Sequence, residues 1–325
     1  MLHRRTLLAS ALTVAAAASV PKATFAAQPA PFKLYDTHAH FYPSDPTKYP
    51  YRPDVAAAVK TRVMADPHTP EVNFKLWDDN GVEMGTGVQY NALYFADNRY
   101  LLYVAAQNPQ RIVPVVIVVP DDPATPAALA RMAKENRIAG ARTFQLPDAE
   151  GNMQLTADAS KGMWEAANAL GLTIVVFLNP AKEPQALPAA LTKIAAFADR
   201  YPNANICIDH LTLSAATKFG PDFGLGPQHR ALAQHKNIYF KYTTFVTEAL
   251  HAANVPAKDF LEHAVGLYGA DHMVWGSDLG NTQGAYSEFV KVARESAAGL
   301  TVAQQKALFY DTAKRLFVPG GHGRG

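Results

Sequence analysis

The chain has 325 residues, 49% of them apolar and 18% charged, with a formal charge of +2. That balance is globular; it argues against a disordered chain, a nucleic-acid surface and a polybasic membrane patch. The single cysteine, Cys207, excludes an internal disulfide and a thiolate metal cluster, so a metal here would be held by His and Asp.

At the start of the chain, Arg4 and Arg5 precede an Ala-rich apolar run over 7–20, then Pro21 and small residues at Thr24 and Ala26. A basic start, a short apolar stretch and a small-residue exit predict a cleavable export signal over 1–26 and a periplasmic mature protein. The run is shorter than the roughly 20 residues that a retained spanning anchor needs. The "RRTLL" pair resembles a twin-arginine signal, with the general export route as the alternative. Arg4, Arg5 and Lys22 fall in this segment and no acidic residue does, so residues 27–325 are slightly acidic.

From there strand-like and helix-like stretches alternate. Short apolar, β-branched runs predict strands over 32–37, 84–89, 112–118, 138–144, 173–178, 204–209, 238–242 and 272–276. Between and after them, helical patterns cover 72–80, 99–107, 126–136, 160–170, 188–200, 228–234, 258–268 and 287–298, with a last helix over 301–316. Gly81, Gly171 and Gly269 stand just past helix ends, where a left-handed stop is wanted. Eight β-then-α units in series predict an α/β fold, a single (β/α)8 TIM barrel over 27–325. An open doubly wound sheet shares the alternation, but no GxGxxG follows the first strand and no P-loop is present. Residues 41–70 form a Pro-rich excursion after the first strand, expected to lie over the barrel mouth.

A barrel carries its chemistry at the C-terminal ends of its strands. The first strand ends "LYDTHAHFY"; in an extended chain His38 and His40 share a face, Asp36 has the same parity, and two imidazoles so placed can chelate one divalent ion. The sixth ends "NICIDHL" with His210 at the mouth, and the eighth "MVWGSDL" with Asp278 behind a Gly-Ser pair that allows close approach. Arg142, on the apolar fourth strand, needs an anionic partner, either a structural carboxylate or a substrate. Singly, each has an ordinary reading: a satisfied buried His, a helix-capping Asp, a structural ion pair. Together His38, His40, His210 and Asp278 surround one mouth.

"DTHAHF", "GARTF", "IDHL" and "VWGSD" resemble the amidohydrolase superfamily, in its amidohydrolase-related (family 2) branch, and the resemblance runs over about 32–318. It implies a barrel whose HxH, later His and last-strand Asp handle a hydrolytic water or a carbonyl. Many metal-dependent members, the zinc decarboxylases among them, carry a metal-binding His at the end of the fifth strand. Here that strand ends Phe177-Leu178-Asn179, which is more similar to the pyrone-dicarboxylate lactonase and fuconolactonase group, some of which are thought to work without metal. Lys241 on the seventh strand also matches that group, although the Thr after Tyr242 departs from its usual Ser-Gly.

The expectation is therefore a hydrolase that opens a lactone bearing a carboxylate. Asp278 would be the general base. His38, His40 and His210, or one divalent ion (zinc or manganese) held by His38, His40 and Asp278, would polarise the carbonyl. Arg142 and Lys241 would bind the carboxylate, with Gln89, Asn91 and Tyr94 as polar contacts. A metal-dependent decarboxylase of an aromatic or muconate-like acid is the alternative, and a periplasmic carboxylate-binding protein is the non-enzyme alternative. His229, His235, His251, His263 and His272 read as solvent-facing or capping, and Cys207 as a small buried hydrophobe.

Overall fold

The computed structural model describes residues 32–179, 183–213, 217 and 219–319. The expected export signal over 1–26 lies outside the described residues. Parallel strands follow in chain order: β1 Leu34–Ala39, β2 Val82–Val88, β3 Ile112–Ile117, β4 Gly140–Gln145, β5 Thr173–Leu178, β6 Asn205–Ile208, β7 Ile238–Thr243 and β8 Met273–Gly276. Each pairs with its successor, so the spatial order is the sequence order. The ring closes just past β8, where Ala39 bridges Leu279 and the His40 N–H donates to the Leu279 carbonyl at 2.8 Å. The result is the expected single barrel.

The strands read as continuously apolar because both of their faces are buried. One face fills the lumen, where Tyr35, Val115, Val175, Cys207 and Val274 form a cluster with Leu316 and Phe317 of the last helix, Thr312–Phe317. That helix closes the N-terminal end of the barrel, and the Thr173 hydroxyl at the start of β5 donates to the Leu316 carbonyl. The other face packs on helices, with Trp77, Trp164 and Phe260 essentially inaccessible to solvent. Each fully buried side chain of this size contributes about 1.5–3 kcal/mol relative to exposure.

Local sequence explains the helix ends. Helix Pro70–Asp79 begins on Thr69, whose hydroxyl accepts from the Val72 N–H, with Pro70 supplying a preset φ at the first position. Helix Lys161–Leu170 stops at Gly171, φ 64°. Three further helices among the described residues escape the sequence pattern, the short Asn91–Tyr94 among them. Ala57–Ala65 lies inside the Pro-rich excursion, and Thr244–Ala252 starts directly from β7 on "TFVT". No helix among the described residues is long and apolar enough to cross a membrane.

The excursion at 41–70 braces the mouth from behind and contributes none of the described residues that line the cavity beneath it. Arg62 on helix Ala57–Ala65 donates to the Gly280 carbonyl at 3.0 Å and stands over the Tyr90 ring. His229 also departs from expectation. It is buried, not solvent-facing, and its Nε2 meets the Thr212 hydroxyl at 2.9 Å. Burial lowers its pKa to about 4, so between the unfolded value near 6.5 and about 4 the unfolded chain takes a proton that the native state refuses. Stability present above pH ~6.5 is lost as pH falls through that window. His229→Gln is expected to remove about 2 kcal/mol of the stability lost between pH 7 and pH 5, read from urea midpoints at the two pH values.

Candidate active site

The mouth is assembled from strand ends, and β1 does so by breaking its own alternation. Asp36 pairs with Gly85 and Ala39 with Gly87, so Thr37 and His38 together stand opposite Thr86. This extra residue reverses the parity. Asp36 consequently does not share the histidines' face, contrary to the period-two expectation. It points into the helix layer, accepting from Trp77 Nε1 at 3.2 Å, Tyr286 OH at 3.0 Å, Ser277 N at 2.8 Å and His38 N at 3.0 Å. Those bonds tie the backbone of His38 to that of Ser277, next to Asp278. Gly276 permits the approach, since a Cβ there would stand 2.7 Å from His38 Cβ.

Inside, three acceptor atoms converge. Asp278 Oδ1 lies 3.4 Å from His38 Nε2 and 3.5 Å from His40 Nε2. His40 Nδ1 sits 2.8 Å from the Val88 carbonyl, which accepts its N–H and so turns Nε2 to face the carboxylate. His38 Nε2 is buried and has no hydrogen-bond partner. Burial, with the Lys241 ammonium next in weight, holds the His38 pKa well below its ordinary value, so this ring is neutral. Burial alone would raise the Asp278 carboxyl, but at the acid pH where a carboxyl titrates the His40 contact and the positive charge that the surrounding imidazoles then carry outweigh it and hold it below the carboxylate range. Asp278 itself has φ 60°, and its Oδ2 accepts from Asn281 Nδ2 at 2.9 Å and Thr282 Oγ1 at 2.8 Å, which locks the carboxylate.

A cation satisfies three converging lone-pair donors better than anything else the chain offers there. His38, His40 and Asp278 place one ligand atom each within 4.8 Å of one another, and His38, Asp209 and His210 form a second such group. The donor set of imidazole and carboxylate suits zinc or manganese, and the orphaned His38 Nε2 fits a ligand role.

His210 enters from just beyond β6 in a left-handed conformation, φ 53°, its Nδ1 2.7 Å from the Thr243 hydroxyl. Burial lowers its pKa to about 4, so it is neutral at pH 7. Together with His40, Arg142 and Asp278 it lines a cavity of about 430 Å³, large enough for a small-molecule substrate.

The family model described as amidohydrolase matches residues 35–318 of this chain. The chain belongs to the amidohydrolase family. A curated relative, the L-fucono-1,5-lactonase of Burkholderia ambifaria, is 29% identical over 185 residues, 56% of this chain and 60% of that one. The amidohydrolase thus spans about 60% of the length of the curated relative it matches. A solved structure from Pseudomonas putida, provisionally named 2-pyrone-4,6-dicarboxylic acid hydrolase, superposes with TM-score 0.65 at 21% identity, covering 90% of this chain and 98% of that one. A zinc-bound amidohydrolase from Burkholderia multivorans gives 0.64 at 20% identity, with 87% and 98% covered. A manganese-bound dihydroxybenzoic acid decarboxylase from Polaromonas gives 0.63 at 14% identity, with 88% and 96% covered. At such identities the structural likeness is one of fold.

The site residues expected from sequence divide three ways. His38, His40, His210 and Asp278 come together. Arg142 is in the cavity wall, but its Nε donates to Asp209 Oδ2 at 2.7 Å, so the structural carboxylate and the exposure to substrate coexist. Lys241, Gln89 and Tyr94 do not reach the cavity. Lys241 is fully buried against Asp209 Oδ1 at 2.9 Å because its position on β7 faces the lumen beneath the floor. Gln89 donates to the Asp97 carbonyl and accepts from the Tyr90 N–H, and Tyr94 donates to the Tyr49 carbonyl. The third expected polar contact, Asn91, does line the cavity, beside Tyr90, which was not expected.

Asp209 is the residue that sequence reading overlooked. It sits beside His210 in "IDHL", and its carboxylate gathers Arg142, Lys241 and His38 Nδ1, the last at 3.5 Å. Burial would raise its pKa, but Lys241 and Arg142 together hold it well below the carboxylate range. Two basic residues on buried strands without named acidic partners were the available signal.

Proposed function

We propose that this amidohydrolase hydrolyses a lactone that carries a carboxylate. The observation that carries the reading is the placement on one cavity of a locked, ionised Asp278, His40, a neutral His210 and the Arg142 guanidinium. The curated lactonase relative and Asn179 just past β5, where many metal-dependent members of the family have His, point the same way.

Arg142 orients the substrate through its carboxylate, bringing the ring carbonyl to the histidines. Asp278 Oδ1 accepts a proton from water, whose oxygen adds to that carbonyl. His210, its Nδ1 engaged by Thr243, offers Nε2 to the developing oxyanion, a contribution of about 3–4 kcal/mol for a well-placed donor. The ring C–O bond then breaks, and the proton on Asp278 passes to the departing oxygen. The sum is lactone plus water to hydroxy acid, or its keto tautomer where the oxygen leaves as an enol. A divalent ion held by His38, His40 and Asp278 would add Lewis-acid polarisation when bound.

A pH-indicator screen of carboxylated lactones on the purified mature protein, with metal analysis and chelator arms, tests this. Acid release from a lactone is the expected outcome. CO2 release from an aromatic acid that depends on stoichiometric metal would replace the reading with the decarboxylase.

A further inference from the structure

We infer that the ring accepted here is flat and unsaturated and carries one carboxylate, as opposed to a polyhydroxylated sugar lactone or a dicarboxylate. The inference rests on the lactonase reading and narrows its substrate.

Aromatic rings make up one wall of the cavity. Phe144 and Phe177 are paired neighbours on β4 and β5, with ring centroids 5.3 Å apart. Phe177 meets His210 edge-on at 5.5 Å, and Phe245, just past β7, lies 5.0 Å from the same imidazole. All three phenylalanines are half-buried and line the cavity, so they offer ring surface to a ligand. A flat π-system gains about 0.5–1.5 kcal/mol from each stacked or edge-on aromatic partner beyond its area burial. Sugar hydroxyls pressed on the same rings lose water and gain no hydrogen bond.

Of the four amide side chains that line the wall among the described residues, two, Asn281 and Gln145, are wholly or partly spent inside the protein. Asn281 is engaged at both ends of its amide, Nδ2 by Asp278 and Oδ1 by the Tyr90 hydroxyl at 3.0 Å. Gln145 Oε1 accepts from the Leu155 N–H at 2.9 Å, while its Nε2 is buried without a hydrogen-bond partner. That leaves a donor on the same strand as Arg142.

Charge decides the number of carboxylates. Asp209 stands between two cations, Lys241 at 2.9 Å and Arg142 at 2.7 Å, so this buried cluster holds one positive charge in excess. Asp209 takes Arg142 Nε, and the terminal edge of the guanidinium fork can bind one carboxylate through two parallel hydrogen bonds. Arg142 is the only cation among the described residues lining the cavity. A second carboxylate would therefore be desolvated without a partner.

The test pairs turnover with equilibrium binding on the purified mature enzyme. Hydrolysis rates are compared for a pyrone with one carboxylate, a pyrone with two, an uncharged pyrone and a sugar δ-lactone. Calorimetry compares benzoate with gluconate. The single-carboxylate pyrone is expected to lead in kcat/KM by about tenfold or more over each of the others, and benzoate to outbind gluconate. Phe177→Leu should lower kcat/KM for that pyrone by about tenfold while its thermal unfolding stays near wild type. If the sugar lactone or the dicarboxylate leads, this inference is overturned and the lactonase reading stands. Benzoate binding without turnover of any lactone overturns the lactonase reading and leaves the flat monoanion site. Absence of both removes the two together.

Discussion

Asp278→Asn is expected to lower turnover at least about 100-fold while the fold and the binding of a product carboxylate survive. Asparagine is close to isosteric with aspartate. It can turn its carbonyl oxygen toward Asn281 and Thr282, the donors that now hold Oδ2. Its amide nitrogen would then face the lone pairs of His38 and His40, which currently look onto the carboxylate at 3.4 and 3.5 Å. What is lost is the anion that takes the proton from water. The anchor for a substrate carboxylate, Arg142, is held through Asp209 and not through Asp278. The effect should therefore fall on kcat and leave the Kd of an aromatic carboxylate little changed. Wild-type turnover in this variant would remove Asp278 from the general-base role.

Asp209→Asn should produce the largest loss of stability of any single polar substitution in the site, about 3–5 kcal/mol at pH 7. The cost comes from what remains. Arg142 is 4% exposed and Lys241 is completely buried, and without the carboxylate both cations face a low-dielectric interior unpaired. The pH dependence has a definite sign. The Asp209 pKa is depressed in the native state, so its stabilisation is complete above the unfolded value near 3.9 and is lost as pH falls toward the native value. The gap between wild type and variant, measured by denaturant titration, should be constant from pH 8 to 5 and shrink below about pH 4. A gap under about 1 kcal/mol at pH 7 would mean that the Asp209 cluster is solvated and carries no uncompensated charge. Replacing Lys241 by Met in the same background should recover part of the loss, because one of the two stranded cations is then gone.

These two variants separate tasks that the order of residues leaves entangled. Asp209 and Asp278 each follow a β-strand, each sits beside a polar or reactive neighbour, and each is buried. One is neutralised by two cations, and the other is held by neutral donors with lone pairs opposite it. Only the first can balance a buried charge cluster, and only the second presents an uncompensated carboxylate to a water molecule in the cavity. The same distinction relocates Lys241, whose place on β7 was legible but whose partner was not.

The barrel and the convergence of His38, His40, His210 and Asp278 were readable from residue order, because both follow from local periodicity. Continuous apolar strands need cover on two faces, helices between them supply it, and eight such units in series close only one way. Strand ends in that closure are neighbours whatever their separation along the chain. Side-chain direction was another matter. The extra residue in β1 turns Asp36 out to Trp77 and Tyr286, against the period-two reading, and no pattern within "LYDTHAHF" marks it. Of the three polar contacts expected after β2, Asn91 lines the cavity, whereas Gln89 is spent on Asp97 and Tyr90 and Tyr94 is turned away at the end of the short helix Asn91–Tyr94. Pairing across β4, β6 and β7 gathered Arg142, Asp209 and Lys241 into one cluster, so what looked like two substrate cations became one cation and a buried brace. Local sequence determines which elements form and where they end. The tertiary structure decides which charges meet, because long-range pairing energies, and not local pattern, choose the partners.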